Sequence, residues 1–468
     1  MRLYKHRADP LYRHALIVVL AMTLGMPGCY SGAPPPGPDE GPALPDAVDA
    51  VDVAEIPSDL DVPEPFVDVA DIFPDDGTAI TGEDLLPMDE GVDLEDTVEA
   101  TDVAPEATDV STEPETPPPA LLQICFPLFD DPEAIGPEYD YLGPVIADHC
   151  HGTNHQDIDN VKKVVFLGDS VTVGTPNVEH LLSIDNQHFY RNLLAEWLTD
   201  HFNLSQGGAF GGWNLWKTYD YFSGKGGRME AGDFKNCSKW GARTDDLLQG
   251  GGQIGECFPE GGSPEPTLFI FTMGGNDIAK ITEEGGTASP EEVAAGYPKE
   301  WDHAYSTVDY LEEAIQYIKD PANFPGGAYV IYNNGYEFTD STGQTDTCTP
   351  QYKLNIPGIG EIDLSELGID MAGLAGMNPW KKPEVQAEIV IWMMEQYMRI
   401  AVDYQVDMIW TLESFCGHGY LATGPKADPE NQCYLGPDSE LWFDITCIHP
   451  SVAGHNAMYE MFKAVVVE

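Results

Sequence analysis

Val164-Val165-Phe166-Leu167-Gly168-Asp169-Ser170-Val171 is the stretch on which the reading of this chain turns. Four consecutive apolar residues closed by a glycine have the length and composition of a strand buried on both faces. Ser170 then stands on the turn that leaves the strand. Leu268 to Phe271, Tyr329 to Tyr332 and Met408 to Trp410 are runs of the same kind. Between and around them, Phe189 to Phe202, Thr307 to Lys319, Glu384 to Tyr404 and Val452 to Val467 space their apolar residues near the helical period. Strands alternating with helices predict an α/β fold, a three-layer α/β/α doubly wound parallel sheet with long inserted loops. In such a sheet ligands are handled by the loops at the carboxyl ends of the strands, and Ser170 and Asn276 fall just past two of those ends.

A serine hydroxyl is a poor nucleophile at neutral pH. It needs a base to take its proton and donors to hold the charge that builds on the substrate oxygen. The base candidate is His449, in Asp444-Ile445-Thr446-Cys447-Ile448-His449-Pro450. The donor candidates are the backbone N–H groups of Ser170 and of Gly241, in Trp240-Gly241-Ala242-Arg243-Thr244-Asp245-Asp246-Leu247, and the side chain of Asn276, in Gly274-Gly275-Asn276-Asp277. Each has an ordinary reading when taken singly. Gly, Asp and Ser favour turns, Asn276-Asp277 could cap a helix, Gly241 could be a loop glycine, and His449 a solvent-facing or core histidine. All four ordinary readings must hold together to remove the enzyme.

With these four blocks the chain resembles the SGNH/GDSL hydrolases, a family named for Ser, Gly, Asn and His blocks that stand here in the family's order. The similarity is strongest to disulfide-containing, secreted esterases and lipases of the family, in which a Cys-Ser pair precedes the second-block glycine as Cys237-Ser238 does here. It covers roughly residues 160 to 468. The resemblance implies an exported serine hydrolase that cleaves carboxylic esters, with Ser170 as nucleophile, His449 as base, and Ser170, Gly241 and Asn276 as the oxyanion hole. It implies no cofactor and no metal. Gly208, in Leu204-Ser205-Gln206-Gly207-Gly208, is the rival for the second-block position, but only Gly241 is followed by the family's Thr and Asp-Leu spacing. In the family an Asp usually lies three residues before the His. Here that position is Thr446, and the nearest Asp is Asp444, five before. Asp444 is taken as the third triad member, with a main-chain carbonyl as the alternative.

The charge is unevenly spread. The chain carries 22 Lys and Arg against 79 Asp and Glu, a net charge of -57, with no Lys or Arg between Arg13 and Lys162. Such a balance speaks against nucleic acid as a partner, since phosphate binding needs clustered cations. Residues 30–120 are acidic and rich in Pro, Ala, Thr and Val, with too little large apolar surface to offset the entropy of ordering, and are expected to be a disordered tether. Residues 121–468 then form the hydrolase domain. Residues 1–29 read as a signal peptide, a cationic start followed by Ala15 to Gly28, an apolar run too short to span a bilayer. It ends at Cys29, where Met26-Pro27-Gly28 is a loose match to a lipobox, so Cys29 is the expected lipidation site and this lipid the only membrane attachment. The apolar stretch in Glu384 to Tyr404 carries Glu384, Glu388, Glu395 and Arg399 and reads as a core helix.

Nine cysteines are an odd number. Setting Cys29 aside leaves Cys125, Cys150, Cys237, Cys257, Cys348, Cys416, Cys433 and Cys447, an even set that suits disulfides in an exported protein. Proximity favours Cys125 with Cys150 and Cys237 with Cys257, and makes Cys433 the simplest partner for Cys447. The expected protein is thus a monomer anchored at a bacterial outer membrane or cell surface, or else secreted, acting on a lipid or acylated-carbohydrate ester. A carbohydrate deacetylase of the same fold and a non-catalytic surface binding module are the alternatives. Trp213, Trp216, Tyr219, Tyr221 and Phe222 form an aromatic cluster that could line an acyl or sugar site, or simply be core.

Overall fold

Six strands build the central sheet: β1 (Lys163–Gly168), β2 (Glu230–Ala231), β3 (Phe234–Asn236), β4 (Thr267–Thr272), β5 (Ala328–Asn333) and β6 (Asp407–Ile409). Their order is β6-β5-β4-β1-β3-β2, and every neighbouring pair is parallel except the short β2–β3 edge. The computed structural model describes residues 120–468, apart from 132–133, 176–187, 209–214, 345–347, 349–352, 357–359, 364–376, 424–426 and 445. The expected signal peptide, Cys29, the acidic tether up to residue 119 and Trp213 lie outside the described residues.

The helices that matter most for the cores and the site are α1 (Ser170–Val173), α2 (Tyr190–Phe202), α3 (Gly275–Gly286), α4 (Pro298–Lys319), α5 (Pro383–Tyr404) and α6 (Val452–Val467), with shorter helices between them among the described residues. Successive strand residues feed opposite cores. Val165, Leu167, Phe269, Phe271, Val330 and Tyr332 pack with Leu311 and Ile315 of α4 and Met393 and Met398 of α5. Val164, Phe166, Leu268, Ile270 and Ile331 pack with Leu194 and Leu198 of α2 and Met458 and Phe462 of α6. Two buried faces explain why the strands read as continuous apolar runs rather than as alternating ones.

The chain passes from β1 to β3 on one side, then crosses to β4 on the other and continues outward to β5 and β6. The direction of winding therefore reverses between β1 and β4, and a crevice opens at their carboxyl ends. Gly168 and Thr272, the last residues of these two strands, are register partners. Ser170 follows the first of them and Asn276 the second.

The four expected strands and four expected helices are all present. Helix α4 starts nine residues before the apolar spacing becomes regular, because Pro298 supplies a first-turn residue with a fixed backbone angle. Strand β3 was not expected, since three residues with a lysine at the centre make no apolar run. No helix among the described residues is long and apolar enough to cross a membrane.

The eight cysteines form four disulfides. Cys125–Cys150 and Cys237–Cys257 pair as proximity suggests. The expected Cys433–Cys447 bridge is corrected: Cys447 pairs with Cys348 and Cys433 with Cys416. The reason lies in Asp340. Its carboxylate accepts hydrogen bonds from the backbone N–H groups of Gly417, Gly419, Leu421 and Ala422, which curls the loop after Cys416. That curl brings Cys433 against Gly417, beside Cys416, and leaves Cys447 to a more distant partner.

Candidate active site

Strand β1 ends at Gly168 with φ +120°, and a Cβ there would lie 2.3 Å from the Thr272 carbonyl oxygen. Only glycine allows β1 and β4 to approach this closely while the chain turns. The turn is then clamped. Gly168 donates its N–H to Gln253 Oε1 at 2.7 Å, and Gln253 Nε2 donates to the Gly168 carbonyl at 2.8 Å. Asp169 caps the single turn of α1, accepting from the Val171 N–H at 2.9 Å and from Thr272 Oγ1 at 3.0 Å. Burial raises the Asp169 carboxyl to about 6, while those two donors oppose the rise. Beneath the far end of α1 lies Arg191, fully buried, whose guanidinium donates to the carbonyls of Thr172, Val173 and Trp216 and stacks over the Trp216 ring. Ser170 is thereby fixed at the start of the turn.

His449 comes from the other end of the chain, in the loop before α6, yet its Nε2 lies 2.8 Å from Ser170 Oγ. Both residues are almost out of solvent, at 4% and 5% exposure. Burial alone lowers the His449 imidazole to about 4, so the ring is neutral at pH 7 and can accept a proton. The loop is pinned at several points. Asp444 donates its N–H to the His449 carbonyl at 2.9 Å, and Tyr336 and Tyr420 donate their hydroxyls to the carbonyls of Ile448 and Asp444, both at 2.8 Å. Cys447, with φ +64°, is tied to Cys348. Ser451 then caps α6 through the Gly454 N–H.

The other ring nitrogen, Nδ1, lies 2.8 Å from the hydroxyl of Thr446. Thr446 in turn donates that hydroxyl to Asp444 Oδ1 at 2.5 Å, and its N–H to the same oxygen at 2.8 Å. Asp444 is buried, and burial pushes its carboxyl up to about 7 against the pull of these two donors. The expected acid therefore stands next to the base loop's threonine, with the threonine between it and the ring. The place of Thr446, three before His449, was visible in the sequence; that its hydroxyl reaches both partners was not.

Gly241 comes from a further loop and Asn276 from the first turn of α3, and a hydrogen bond joins the two segments. Asn276 Nδ2 donates to the Ala242 carbonyl at 2.9 Å, which orients the amide and leaves its second hydrogen for another acceptor. Asp277, fully buried and raised by burial to about 7, accepts from the N–H and hydroxyl of Thr244 and from the Thr307 hydroxyl. It staples the Gly241 loop to the start of α3. Gly274, with φ +104°, leaves no room for a Cβ against the Tyr397 hydroxyl. Gly208 is exposed, and its neighbour Gly207 packs on Gly232, before the amino end of β3. Since β3 runs parallel to β1, this is the end of the sheet opposite to Ser170.

The aromatic cluster divides. Trp216 is core, edge-on to Phe166 and Phe234; Tyr219 and Tyr221 surround Trp240; Phe222 is 90% exposed. Gln253 and Arg191 were not anticipated as supports of the serine turn, and nothing in their local sequence marks them.

No family model matches the chain, and no curated protein matches it. Among solved structures it is similar to an extracellular lipase from Streptomyces rimosus, with 17% identity and a TM-score of 0.33, over 65% of this chain and 100% of that one. It is similar also to a phospholipase A1 from Streptomyces albidoflavus NA297, with 17% identity and a TM-score of 0.31, over 65% and 99%. Likeness at this level adds nothing to the geometry above.

Proposed function

We propose that the chain is a serine hydrolase of the SGNH/GDSL type that cleaves carboxylic esters through an acyl-serine intermediate. The observation that carries this is the 2.8 Å contact between Ser170 Oγ and a neutral, buried His449 Nε2, at the sheet's switch point. Ser170 Oγ attacks the ester carbonyl as its proton passes to His449 Nε2. The tetrahedral oxyanion is held by the N–H groups of Ser170 and Gly241 and by the Asn276 amide. His449 returns the proton to the leaving alcohol as the C–O bond breaks. Water, deprotonated by the same nitrogen, then hydrolyses the acyl ester and frees Ser170. The protein is exported, with four disulfides supporting an oxidising compartment. Its domain is tethered through residues 30–120 to a lipid on Cys29.

Turnover of short p-nitrophenyl esters tests the proposal. Ser170→Ala and His449→Ala are expected to lose on the order of a thousandfold or more in kcat while keeping the wild-type melting temperature. Equal turnover in wild type and Ser170→Ala would refute it. Comparing short and long acyl chains with acetylated xylan then separates a lipid esterase from a carbohydrate deacetylase.

A further inference from the structure

The orientation of His449 is the least conventional part of the site, and the hydrogen bonds around it fix its sense without reference to any carboxylate touching the ring. Asp444 Oδ1 receives the Thr446 backbone N–H, so this oxygen is an acceptor. Ionised Asp444 has no hydrogen to give, so the Thr446 hydroxyl, directed at the same oxygen, is the donor in that contact. A hydroxyl has a single hydrogen, so toward His449 it offers only a lone pair. The 2.8 Å contact between Thr446 Oγ1 and His449 Nδ1 therefore requires the proton to sit on Nδ1. Nε2 is left bare, which is the state that accepts the Ser170 proton.

We infer that Thr446 is a positioning residue that relays Asp444 to the base, its hydroxyl holding His449 in the Nδ1–H tautomer and orienting Nε2 toward Ser170. The inference rests on the esterase reading and deepens it. It explains how a spacing of five residues between Asp444 and His449 serves where a direct contact would call for a shorter one. The intervening threonine supplies the missing reach. It also accounts for the crowded anchoring of this loop, since two hydrogen bonds in series transmit an orientation only if all three groups are held. Tyr420 on the Asp444 carbonyl, Tyr336 on the Ile448 carbonyl and the Cys348–Cys447 bridge provide that rigidity. As the ring takes the serine proton, the Nδ1–H stays in place and the hydroxyl dipole, backed by Asp444, faces the new positive charge.

The test is a set of variants at position 446 read by kinetics and by nitrogen-15 NMR of the histidine ring. Thr446→Val keeps the shape and removes the hydroxyl. It is expected to lower kcat by about a hundredfold, at nearly unchanged KM, since losing the correct tautomer is costly in the serine-histidine template. Thr446→Ser, which restores the hydroxyl, is expected to stay within about threefold of wild type. Because the two residues act as a unit, Asp444→Ala should cost far less in the Thr446→Val background than alone. In the NMR spectrum the His449 signal, assigned by its loss in His449→Asn, should report the Nδ1–H tautomer in wild type and a mixture in Thr446→Val. Wild-type kcat in Thr446→Val, losses that multiply in the double variant, or an Nε2–H tautomer in the wild type would each overturn the inference. The NMR arm reads the relay without turnover, whereas failure of the esterase reading itself shows as equal activity in Ser170→Ala.

Discussion

The turn that carries Ser170 and the loop that carries His449 meet at one 2.8 Å contact, but they are built by different means. The serine turn belongs to the sheet. Its position follows from the register of β1 on β4, from a glycine that no other residue could replace, and from buried side chains that saturate the backbone around it. The base loop belongs to no regular element. It has a left-handed residue at Cys447 and hydrogen bonds of its own through Thr446, and it is held from outside by two tyrosine hydroxyls and a disulfide spanning 99 residues. Sheet geometry thus sets where Ser170 stands, and long-range cross-links help set where His449 stands.

Removing the Cys348–Cys447 bridge should separate the two regions most sharply. Closing a loop of this length is worth on the order of 4 to 5 kcal/mol in the chain-entropy model. The paired Cys348→Ser and Cys447→Ser variant is therefore expected to lose most of that in denaturant unfolding. Hydrogen exchange should quicken at the amides of Asp444 and Cys447, while the Asp169 amide, bonded to the Thr272 carbonyl, keeps its protection. Equal loosening at Asp169 would break the comparison.

A smaller effect is expected on the other side. Gln253→Leu removes the side chain that satisfies both the N–H and the carbonyl of Gly168, and a buried backbone group left unpaired costs about 1 to 3 kcal/mol. The Gly168 carbonyl retains the Lys239 N–H at 3.0 Å, so the loss should sit near 2 kcal/mol, within the range for one such group. Chemical denaturation measures it, and exchange at Asp444 should stay unchanged. A stability equal to wild type would show that the glutamine clamp is dispensable.

The same division decides what could be read from the sequence. Buried parallel strands announce themselves as apolar runs, so β1, β4, β5 and β6 were legible, and with them the carboxyl-end positions of Ser170 and Asn276. Gly241 was legible through the spacing around it. The base loop was legible only in part. His449 and Asp444 could be named, but Cys447 joins Cys348 rather than Cys433 because of a fold in the 417–422 loop set by Asp340, more than seventy positions earlier. Gln253 and Arg191 were invisible for a related reason: their hydrogen-bond partners are backbone atoms, which leave no trace in side-chain patterns.

The central claim is that Ser170 and a neutral His449 act together, and the rate at which a fluorophosphonate phosphonylates the protein tests it most directly when followed against pH. Burial places the imidazole at about 4, so the base is unprotonated above that pH and becomes an imidazolium unable to accept the serine proton below it. The account predicts a single adduct mapped to Ser170, lost in Ser170→Ala, with a labelling rate that falls as pH drops through about 4. An adduct on another residue, or a rate still undiminished well below pH 4, would contradict it, whereas a separate partial fall near 7 would report the Asp444 carboxyl behind Thr446.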